Sequence, residues 1–450
     1  MAIYYSERLS AVIRDNRWAA EFHRPGYKFV PKSVDSWRTI GRCSKLCQYG
    51  LSIKMNEAGR GVPIYRLNEI EDCFLSESPS KYAAISPKMA VDYELEKRDL
   101  LFCRTNGNIN YVGRTGLFLG GNKAVFASYL VRVRTDSNIL LPEYLTIYLN
   151  TEFGRRQIVR RAMPSNQVNV SAAELKRIDA YLAPDAIQKG VADLVQDSYR
   201  KRVLGLTAYR EAQQLLEAEL GLDKLSFQKP VGYTTCLSAI EEARRFDSEH
   251  YFPSFPAFKA GLPAHVSLSP LSNYLEFCQR GKQPWYSKTG LPVINSKHVQ
   301  PNRVIGDGNR LARPNPDANL QIRFGDTLLN GTGRGTIGRA APYLSKTLSV
   351  ADNHVTILRS TKLDPAYLAL YLNSRAGQMQ VEMHLRGSSG QLELYPFDIR
   401  KFLVWPAPPE LQREIRRLHD AAAAADRESH LLFDQAKIRV EQVIKEAVHP

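Results

Sequence analysis

The spacing of apolar positions predicts two long helices, from about 184 to 220 and from about 409 to 448. Apolar or small residues recur every three or four positions in both runs, which is typical of a coiled-coil seam. The second seam is regular: Ile415, Leu418, Ala422, Ala425, Ser429, Leu432, Ala436 and Val443. The first is less regular and contains Gly205: Ile187, Val191, Leu194, Val195, Tyr199, Leu206, Leu216 and Leu220. We expect the two helices to pair; the alternative is that each packs only on its own globular region.

The region before each long helix has the pattern of a mixed α/β domain. A short helix comes first, and β-branched and aromatic runs between Gly, Pro and Asn follow it, which indicates strands and turns. An amphipathic helix is then predicted over 142–162 and again over 365–385, with Pro142 and Pro365 near its first position. Four of its residues are expected to face the core: Tyr144, Leu145, Tyr148 and Leu149.

The chain is an internal repeat. Residues 5–26 align with 233–254 without a gap, "LPEYLTIYLNTEFGRRQI" matches "DPAYLALYLNSRAGQMQV", and "APDAIQKGV" matches "APPELQREI". We call residues 1–228 the first copy and 229–450 the second copy. Each copy is predicted to hold a globular domain (1–183 and 229–408) and a long helix (184–228 with its linker, and 409–450). A two-fold relation between the copies would make the helices antiparallel. The predicted fold class is therefore α+β, with two homologous α/β domains separated by two long antiparallel helices.

A perfect G-x-G-x-x-G stands at Gly333, Gly335 and Gly338. A dinucleotide cradle needs a helix directly after these glycines, but the following run contains Pro342 and reads as a strand. The first copy has "RTNGNINYVGRT" at the matching place, where Gly113 is kept and the glycine spacing is lost. The loop is therefore predicted to be a hairpin turn whose polar residues are free to contact a partner.

Composition favours an anionic partner. The net charge is +15 and the isoelectric point is about 9.4, which favours nucleic acid first and an acidic membrane surface second; a simply solvated basic surface is the alternative. The six cysteines form no C-x-x-C pair and lack His at zinc spacing, so no metal site is predicted and buried, reduced thiols are expected. With no signal-like N-terminus and no stretch of 18 apolar residues, a cytoplasmic protein is expected.

Several phrases of the sequence resemble the specificity subunit of type I restriction-modification systems. They are "RFDSEHYFP", "GDTLLNGTGRGTIGRA", "DNHVTILRS", "DPAYLALYLNS" and "RGSSGQLELYPFDIRKFLVWPAPPELQREI". The first copy carries them more weakly, because it lacks the Asp seen at Asp247 and the Gly-Ser-Ser-Gly-Gln run, although Gln167 stands opposite Gln391. The resemblance covers nearly the whole chain.

This resemblance implies two target-recognition domains, each reading one half of a split, asymmetric DNA site. The long helices would act as spacer and as docking surface for two methyltransferase subunits, with restriction or translocase subunits as further candidates. The chain itself would be non-catalytic and would need no cofactor, since the partner methyltransferase would bind S-adenosylmethionine. In agreement, the sequence has no Asn/Asp-Pro-Pro-Tyr motif, and His354 stands opposite Tyr129, so it is expected to be a packed or hydrogen-bonded strand residue.

Base reading requires polar side chains on loops held by a rigid scaffold. In the first copy we expect DNA contacts from Arg104, Asn106, Asn108, Asn110, Arg114, Arg160, Arg161, Asn166 and Gln167. In the second copy we expect them from Asn330, Thr332, Arg334, Arg339, Arg386, Ser388, Ser389 and Gln391. Expected phosphate contacts are Lys54, Arg60, Lys282, Lys288 and Lys297. Trp285 and Tyr286 could stack on DNA, but core packing is the preferred interpretation.

Three alternatives stay open. The same scaffold could serve a methylation-only or other phage-defence complex. The chain could be an enzyme with an active site in its glycine loops, or a stand-alone DNA-binding repressor.

Overall fold

The computed structural model describes residues 9–15, 17–163, 167–225, 232–306, 308–315, 317–333, 335–387 and 392–449. The chain divides by packing into two compact units. Unit 1 comprises Met1–Arg202 with Arg427–Pro450, and unit 2 comprises Val203–Asp426. Each unit therefore contains a part of both long helices, whereas each sequence copy contains one whole helix. The domain boundaries drawn from the repeat stay predictions.

Helices and strands of the first copy follow the predicted α/β order. The helices are α1 Leu9–Asp15, α2 Pro87–Tyr93, α3 Pro142–Asn150, α4 Glu152–Arg161, α5 Ala172–Lys176 and α6 Asp185–Glu219. The strands are β1 Trp37–Thr39, β2 Ser44–Tyr49, β3 Met55–Asn56, β4 Val62–Tyr65, β5 Ile70–Glu71, β6 Phe74–Leu75, β7 Tyr82–Ala83, β8 Leu100–Cys103, β9 Thr105–Asn106, β10 Thr115–Leu117, β11 Val125–Phe126, β12 Leu130–Thr135, β13 Val168–Asn169 and β14 Asp179–Tyr181.

The second copy follows a similar order, but a second helix precedes its first strand. Its helices are α7 Leu237–Ala243, α8 Ser254–Ala260, α9 Pro365–Asn373, α10 Arg375–His384, α11 Pro396–Ile399 and α12 Pro409–Ala447. Its strands are β15 Ser269–Pro270, β16 Phe277–Arg280, β17 Tyr286–Ser287, β18 Leu291–Ile294, β19 Val299–Gln300, β20 Arg303–Val304, β21 Leu311–Ala312, β22 Gln321–Ile322, β23 Asp326–Asn330, β24 Ala340–Tyr343, β25 Ser349–Ala351, β26 Val355–Arg359 and β27 Leu403–Val404. The α+β class is confirmed.

Two sheets form the frame of each unit. In unit 1 the strand orders are β2-β12-β8-β10-β6-β5 and β11-β4-β7-β3, and in unit 2 they are β16-β26-β23-β24 and β17-β21-β18-β25-β22. The central strands β8 and β23 are buried at every residue. Helix α3 packs on the six-stranded sheet of unit 1, and helix α9 packs on the four-stranded sheet of unit 2. Each of these two sheets is called the main sheet of its unit. The α3 residues Tyr144, Leu145, Tyr148 and Leu149 are each 0% exposed, as the sequence predicts.

The amphipathic helix is not one helix, as expected, but two in each copy. Thr151 and Ser374 interrupt it in extended backbone conformation. The Thr151 hydroxyl donates to the Tyr148 carbonyl at 2.6 Å, and the Ser374 hydroxyl donates to the Tyr371 carbonyl at 2.6 Å. Such local side-chain bonds compete with the backbone hydrogen bonds of a helix and interrupt it. The hydrophobic periodicity of the sequence nevertheless continues across the break.

The long helices pair antiparallel inside each unit. In unit 1 the buried Ser198 and Ser429 hydroxyls each donate to the other residue's carbonyl at 2.8 Å. In unit 2 a Cβ on Gly205 would lie 3.2 Å from the Ala422 carbonyl oxygen. The helices therefore approach closely where residues 421–425 are all alanine. The predicted pairing is confirmed. The helices also join the globular cores, because Val191, Val195 and Val440 lie in the same apolar cluster as the α3 residues.

The second seam shifts from its predicted course after Ala436. Ala436, Val440 and Ile444 are 0% exposed, whereas the predicted Val443 is only half-buried. A helix with 3.6 residues per turn drifts relative to a strict heptad repeat, and here the drift moves the buried face by one residue.

Two smaller expectations are wrong. All six cysteines are free thiols, as expected, and Cys43, Cys73, Cys103 and Cys278 are buried, but Cys236 is exposed. Trp285 is 65% exposed rather than packed in the core, because the preceding residue, Pro284, takes the buried position. Within the described residues, no helix has the length and apolar character needed to cross a membrane.

Candidate functional site

The polar loops chosen from the sequence leave the same strand of the main sheet in each copy. Residues 104–114, the asparagine loop, follow β8, and residues 331–339, the glycine loop, follow β23. The strands on either side of each loop are antiparallel: Phe102 pairs with Thr115, and Leu329 pairs with Ala340. The predicted hairpin is confirmed in both copies, and α4 or α10 lies beside it.

One glycine of each loop is needed for close packing. Gly113 has φ +84° and Gly338 has φ +82°, a left-handed conformation that favours glycine. A Cβ on Gly113 would lie 2.6 Å from Ile158, and one on Gly338 would lie 2.9 Å from Val381. The remaining glycines serve the turn. We find no helix after them, so the loop is not a dinucleotide cradle.

A side chain from the second half of the split helix holds each loop. Arg155 donates to the carbonyl of Ile109 at 3.1 Å and to that of Val112, and burial lowers the pKa of its guanidinium. At the matching place in the second copy, Gln378 donates to the Gly338 carbonyl at 3.0 Å. The loops are therefore fixed on a rigid support.

The asparagine loop is built from consecutive turns closed by side-chain amides. The side-chain Oδ1 of Asn106 accepts the Asn108 backbone N–H at 2.9 Å, and the side-chain Oδ1 of Asn108 accepts the Asn110 backbone N–H at 3.0 Å. Asn108 and Asn110 are exposed. Arg114 is also exposed, with its guanidinium 3.9 Å from the Tyr111 ring centroid. Arg104 lies 4.9 Å over the Tyr49 ring. Flat, pre-positioned donors of this kind suit the edges of nucleic-acid bases.

The glycine loop contains fewer solvent-facing polar groups than the sequence suggests. The Asn330 side chain is fully buried and donates to the Ser296 carbonyl at 3.0 Å. Thr332 is 2.5 Å from His354, an exposed turn residue that is hydrogen-bonded as expected but does not lie in a strand. Arg339 is half-buried and donates to Gln300 at 2.8 Å.

Other predicted arginines are engaged within their own unit. Arg160 donates to the Phe22 carbonyl at 2.9 Å. Arg161 pairs with Glu174 at 3.4 Å, and burial lowers the pKa of its guanidinium although Glu174 opposes the effect. Arg386 makes a two-pronged contact with Asp398 at 2.6 and 3.0 Å, which raises its pKa. Through these contacts the three arginines stabilise their own unit. Their contact with DNA stays a prediction.

The remaining predicted residues divide into exposed and undescribed positions. Gln167 is exposed. The five predicted phosphate contacts are all exposed: Lys54, Arg60, Lys282, Lys288 and Lys297. Five positions lie outside the described residues: Asn166, Arg334, Ser388, Ser389 and Gln391. Among the described residues, no group of three His, Cys, Asp or Glu side chains is placed to hold a metal ion.

Sequence reasoning missed several aromatic–arginine contacts; besides that of Arg104 with Tyr49, two are formed by exposed tyrosines. The Arg114 guanidinium lies over the Tyr111 ring, and the Arg310 guanidinium lies 3.4 Å from the Tyr286 ring centroid. The second could have been suspected, since "WYSK" stands in a strongly basic stretch. The first had no signal in spacing or composition.

Comparison with known proteins gives partial sequence matches. No protein-family model matches the chain. It is 28% identical to the type I restriction enzyme EcoKI specificity subunit of Escherichia coli strain K12 over 153 residues, which is 33% of this chain and 33% of that protein. It is 26% identical to the StySPI specificity subunit of Salmonella potsdam over 165 residues, 36% of this chain and 34% of that protein. The match thus spans about a third of each relative's length.

A solved structure is aligned over a longer range but only distantly. The crystal structure of a type I restriction-modification S subunit from M. genitalium gives a TM-score of 0.43 at 9% identity, covering 92% of this chain and 96% of that one. The sequence matches are more informative, and they agree with the phrases that suggested the resemblance. The resemblance is confirmed: this chain is similar to the specificity subunits of type I restriction enzymes.

Proposed function

We propose that the chain is the DNA-recognition subunit of a type I restriction-modification complex. Each copy reads one half of a bipartite, asymmetric site through its loop, and the long helices dock methyltransferase subunits, with restriction or translocase subunits as further partners. The observation that carries this proposal is that the two copies share the same arrangement of sheets and helices but have different polar loops on it. A protein that reads two unrelated half-sites needs the same support twice and different contact residues on it.

A buried glutamine makes the same pair of hydrogen bonds in both copies. In the first copy Gln157 donates to the Asp179 carbonyl at 2.6 Å and accepts the Asp179 N–H at 3.0 Å. In the second copy Gln380 makes the same two bonds to Leu403, at 2.9 and 2.5 Å. Buried polar groups satisfied in this way favour one arrangement of the surrounding elements. The loops, by contrast, share few residues beyond Thr105 and Thr332, Gly113 and Gly338, and the arginine after each of these glycines.

The charge and the similarity support a nucleic-acid role. A net charge of +15 attracts phosphate, and both curated relatives are named as specificity subunits. In this proposal the chain does no chemistry and binds no cofactor. The methyltransferase partner supplies S-adenosylmethionine, and the chain determines where the methyl group goes.

Methylome sequencing tests the proposal. The full-length chain is expressed in a methylation-free bacterial host together with the methyltransferase encoded beside it, and modified bases are read by single-molecule sequencing. We expect one bipartite motif with two different halves. The matched control omits this chain and should show no such motif. Methylation that is independent of the chain, or methyl transfer by the purified chain alone, would contradict the proposal.

A salt titration tests DNA binding separately. The logarithm of the binding constant should fall with the logarithm of salt concentration, with a slope of several negative units, because several phosphate contacts release counterions. A slope near zero would exclude a phosphate-dominated interface. Tight specific binding without any methyltransferase would favour the stand-alone repressor instead.

A further inference from the structure

The second copy presents an exposed tryptophan on a tightly held hairpin. Residues 281–291, the tryptophan hairpin, enter the five-stranded sheet of unit 2 through β17. Both ends are packed against backbone: a Cβ on Gly281 would lie 2.3 Å from the Ala351 carbonyl oxygen, and one on Gly290 would lie 2.2 Å from that of Ala312. The Trp285 carbonyl accepts the Arg313 N–H at 3.0 Å. The backbone that carries the indole is therefore fixed.

The side chains around Trp285 suit a polyanion. Trp285 is 65% exposed, and the neighbouring Tyr286 is 37% exposed with the Arg310 guanidinium 3.4 Å from its ring centroid. Lys282 and Lys288 flank the pair and are exposed. The Trp285 indole is exposed to solvent, whereas the Tyr286 ring is covered by Arg310. The indole is therefore an exposed apolar surface surrounded by positive charges.

The first copy has the same hairpin without the tryptophan. A Cβ on Gly50 would lie 2.3 Å from the Ala127 carbonyl oxygen and one on Gly61 would lie 2.1 Å from that of Ala83, so these glycines occupy the places of Gly281 and Gly290. Met55 pairs with Ala83 as Tyr286 pairs with Ala312. The residue before Met55 is Lys54, which stands where the second copy has Trp285.

The two hairpin segments also differ in charge. Residues 281–312 contain five Lys and Arg against one Asp, whereas residues 50–83 contain four Lys and Arg against five Asp and Glu. In the first copy Glu57 forms an ion pair with Lys81, so part of that charge is neutralised locally. The tryptophan therefore occurs in the more basic of the two segments, residues 281–312.

We propose that Trp285 stacks on a base of the DNA bound by the second copy, with Lys282, Lys288 and Arg310 holding the adjacent phosphates. This inference rests on the proposed function and deepens it, because it assigns one half-site an aromatic contact that the other lacks. Aromatic side chains stack on bases or wedge between base steps, and neighbouring cations strengthen the contact. A protein partner with an acidic apolar patch is the competing occupant, and the experiment separates the two.

The first experiment measures DNA affinity and its salt dependence. The full-length wild type, with its methyltransferase, enriches binding duplexes from a random-sequence library, and the enriched duplex is titrated against variants. Trp285→Ala should weaken binding roughly ten- to a hundredfold with an unchanged salt slope, since no charge is removed. Trp285→Phe should recover part of the loss. Lys288→Ala should instead reduce the slope by about one. Trp18→Ala, at a tryptophan 73% exposed in the first copy, is the matched control and should leave affinity unchanged.

The second experiment uses the indole as a reporter. Stacking on a base should quench tryptophan emission when the enriched duplex is added, and Trp285→Phe should remove most of this quenching, while Trp18→Phe should retain it. Trp37 and Trp405 are 7% and 4% exposed and should contribute little.

The outcomes separate this inference from the proposed function. If the wild type enriches no duplex and shows no salt dependence, the proposed function fails, and the inference fails with it. If the wild type binds and Trp285→Ala binds equally well, only the inference is wrong. A Trp285→Ala variant that keeps DNA affinity but no longer co-purifies with the methyltransferase would overturn it in favour of a protein contact.

Discussion

The two copies share a frame and differ on its surface. Each has a buried carboxylate at the start of its central strand, Asp99 just before β8 or Asp326 as the first residue of β23, in a two-pronged contact with an arginine on the neighbouring strand, Arg134 or Arg359, at 2.7 and 2.9 Å. The loops after those strands are an asparagine series in one copy and a glycine turn in the other. The comparison teaches that repetition marks the residues that hold the fold, whereas divergence between the copies marks the residues that are free to contact a partner.

The largest effect is expected from breaking the shared frame. Asp326→Asn leaves the Arg359 guanidinium, 8% exposed, without its charge partner, and should cost about 3–5 kcal/mol of unfolding free energy. Asp99→Asn should cost as much, because it also removes the charge partner of the Arg132 guanidinium, which is 5% exposed and 3.6 Å away, although Arg134 is 28% exposed and keeps Glu96 at 2.8 Å.

Urea unfolding, with hydrogen exchange at β8 and β23, measures both variants. A much smaller loss for Asp99→Asn would show that Glu96 and the carbonyl acceptors of Arg132, those of Glu94 and Asp92, compensate for the lost carboxylate and that the copies are not energetically equivalent at this pair.

A smaller effect is expected from removing charge from the two hairpins. Lys282→Ala in the basic hairpin should weaken DNA binding and lower the salt slope by about one, as a phosphate contact does. Lys54→Ala, in the segment 50–83 where acidic residues outnumber basic ones, should change the slope less. The salt titration of full-length variants measures both. A larger change for Lys54 would assign the dominant phosphate contacts to the first copy and reverse the comparison.

The smallest effect is expected from two helix glycines. Gly190→Ala should stabilise by about 1 kcal/mol, the helix propensity difference, because the added Cβ meets only the flexible end of Arg439, 2.8 Å away. Gly205→Ala should lose this gain, since its Cβ would lie 3.2 Å from the Ala422 backbone oxygen as well as 2.9 Å from Asp426.

Thermal unfolding compares the two glycine variants with the wild type. An equal rise in melting temperature for both would mean that the helices can separate at Gly205 without cost.

The shared arrangement of helices and strands could be predicted because the sequence contains it as an internal repeat. The repeat, the long helices, the hairpins and the buried tyrosines all follow from matching phrases and periodicity. The breaks at Thr151 and Ser374 could not be predicted, since the apolar pattern continues through them and a single hydroxyl bond decides the backbone. The shift from Val443 to Val440 and Ile444 reflects helix drift that a heptad pattern ignores.

The candidate site was less predictable than the frame. Polar residues on loops look alike in sequence, yet Asn330 is fully buried while Asn108 and Asn110 face solvent. Whether an arginine is used internally depends on a distant carboxylate, such as Asp398 for Arg386. Trp285 was wrongly expected in the core because composition alone favours burying an indole, and only its packed neighbours show that the backbone turns it outward.

The central claim is that each copy reads its own half-site, and a pair of matched variants tests it most directly. Arg114→Ala and Arg339→Ala remove the arginine that follows the shared glycine in each loop. Each variant is co-expressed with the methyltransferase, and the methylated motif is sequenced. Each should relax one half of the motif, a different half for each variant, by about 1–3 kcal/mol of discrimination if the arginine reads a base. Relaxation of both halves by either variant, or of the same half by both, would contradict the account.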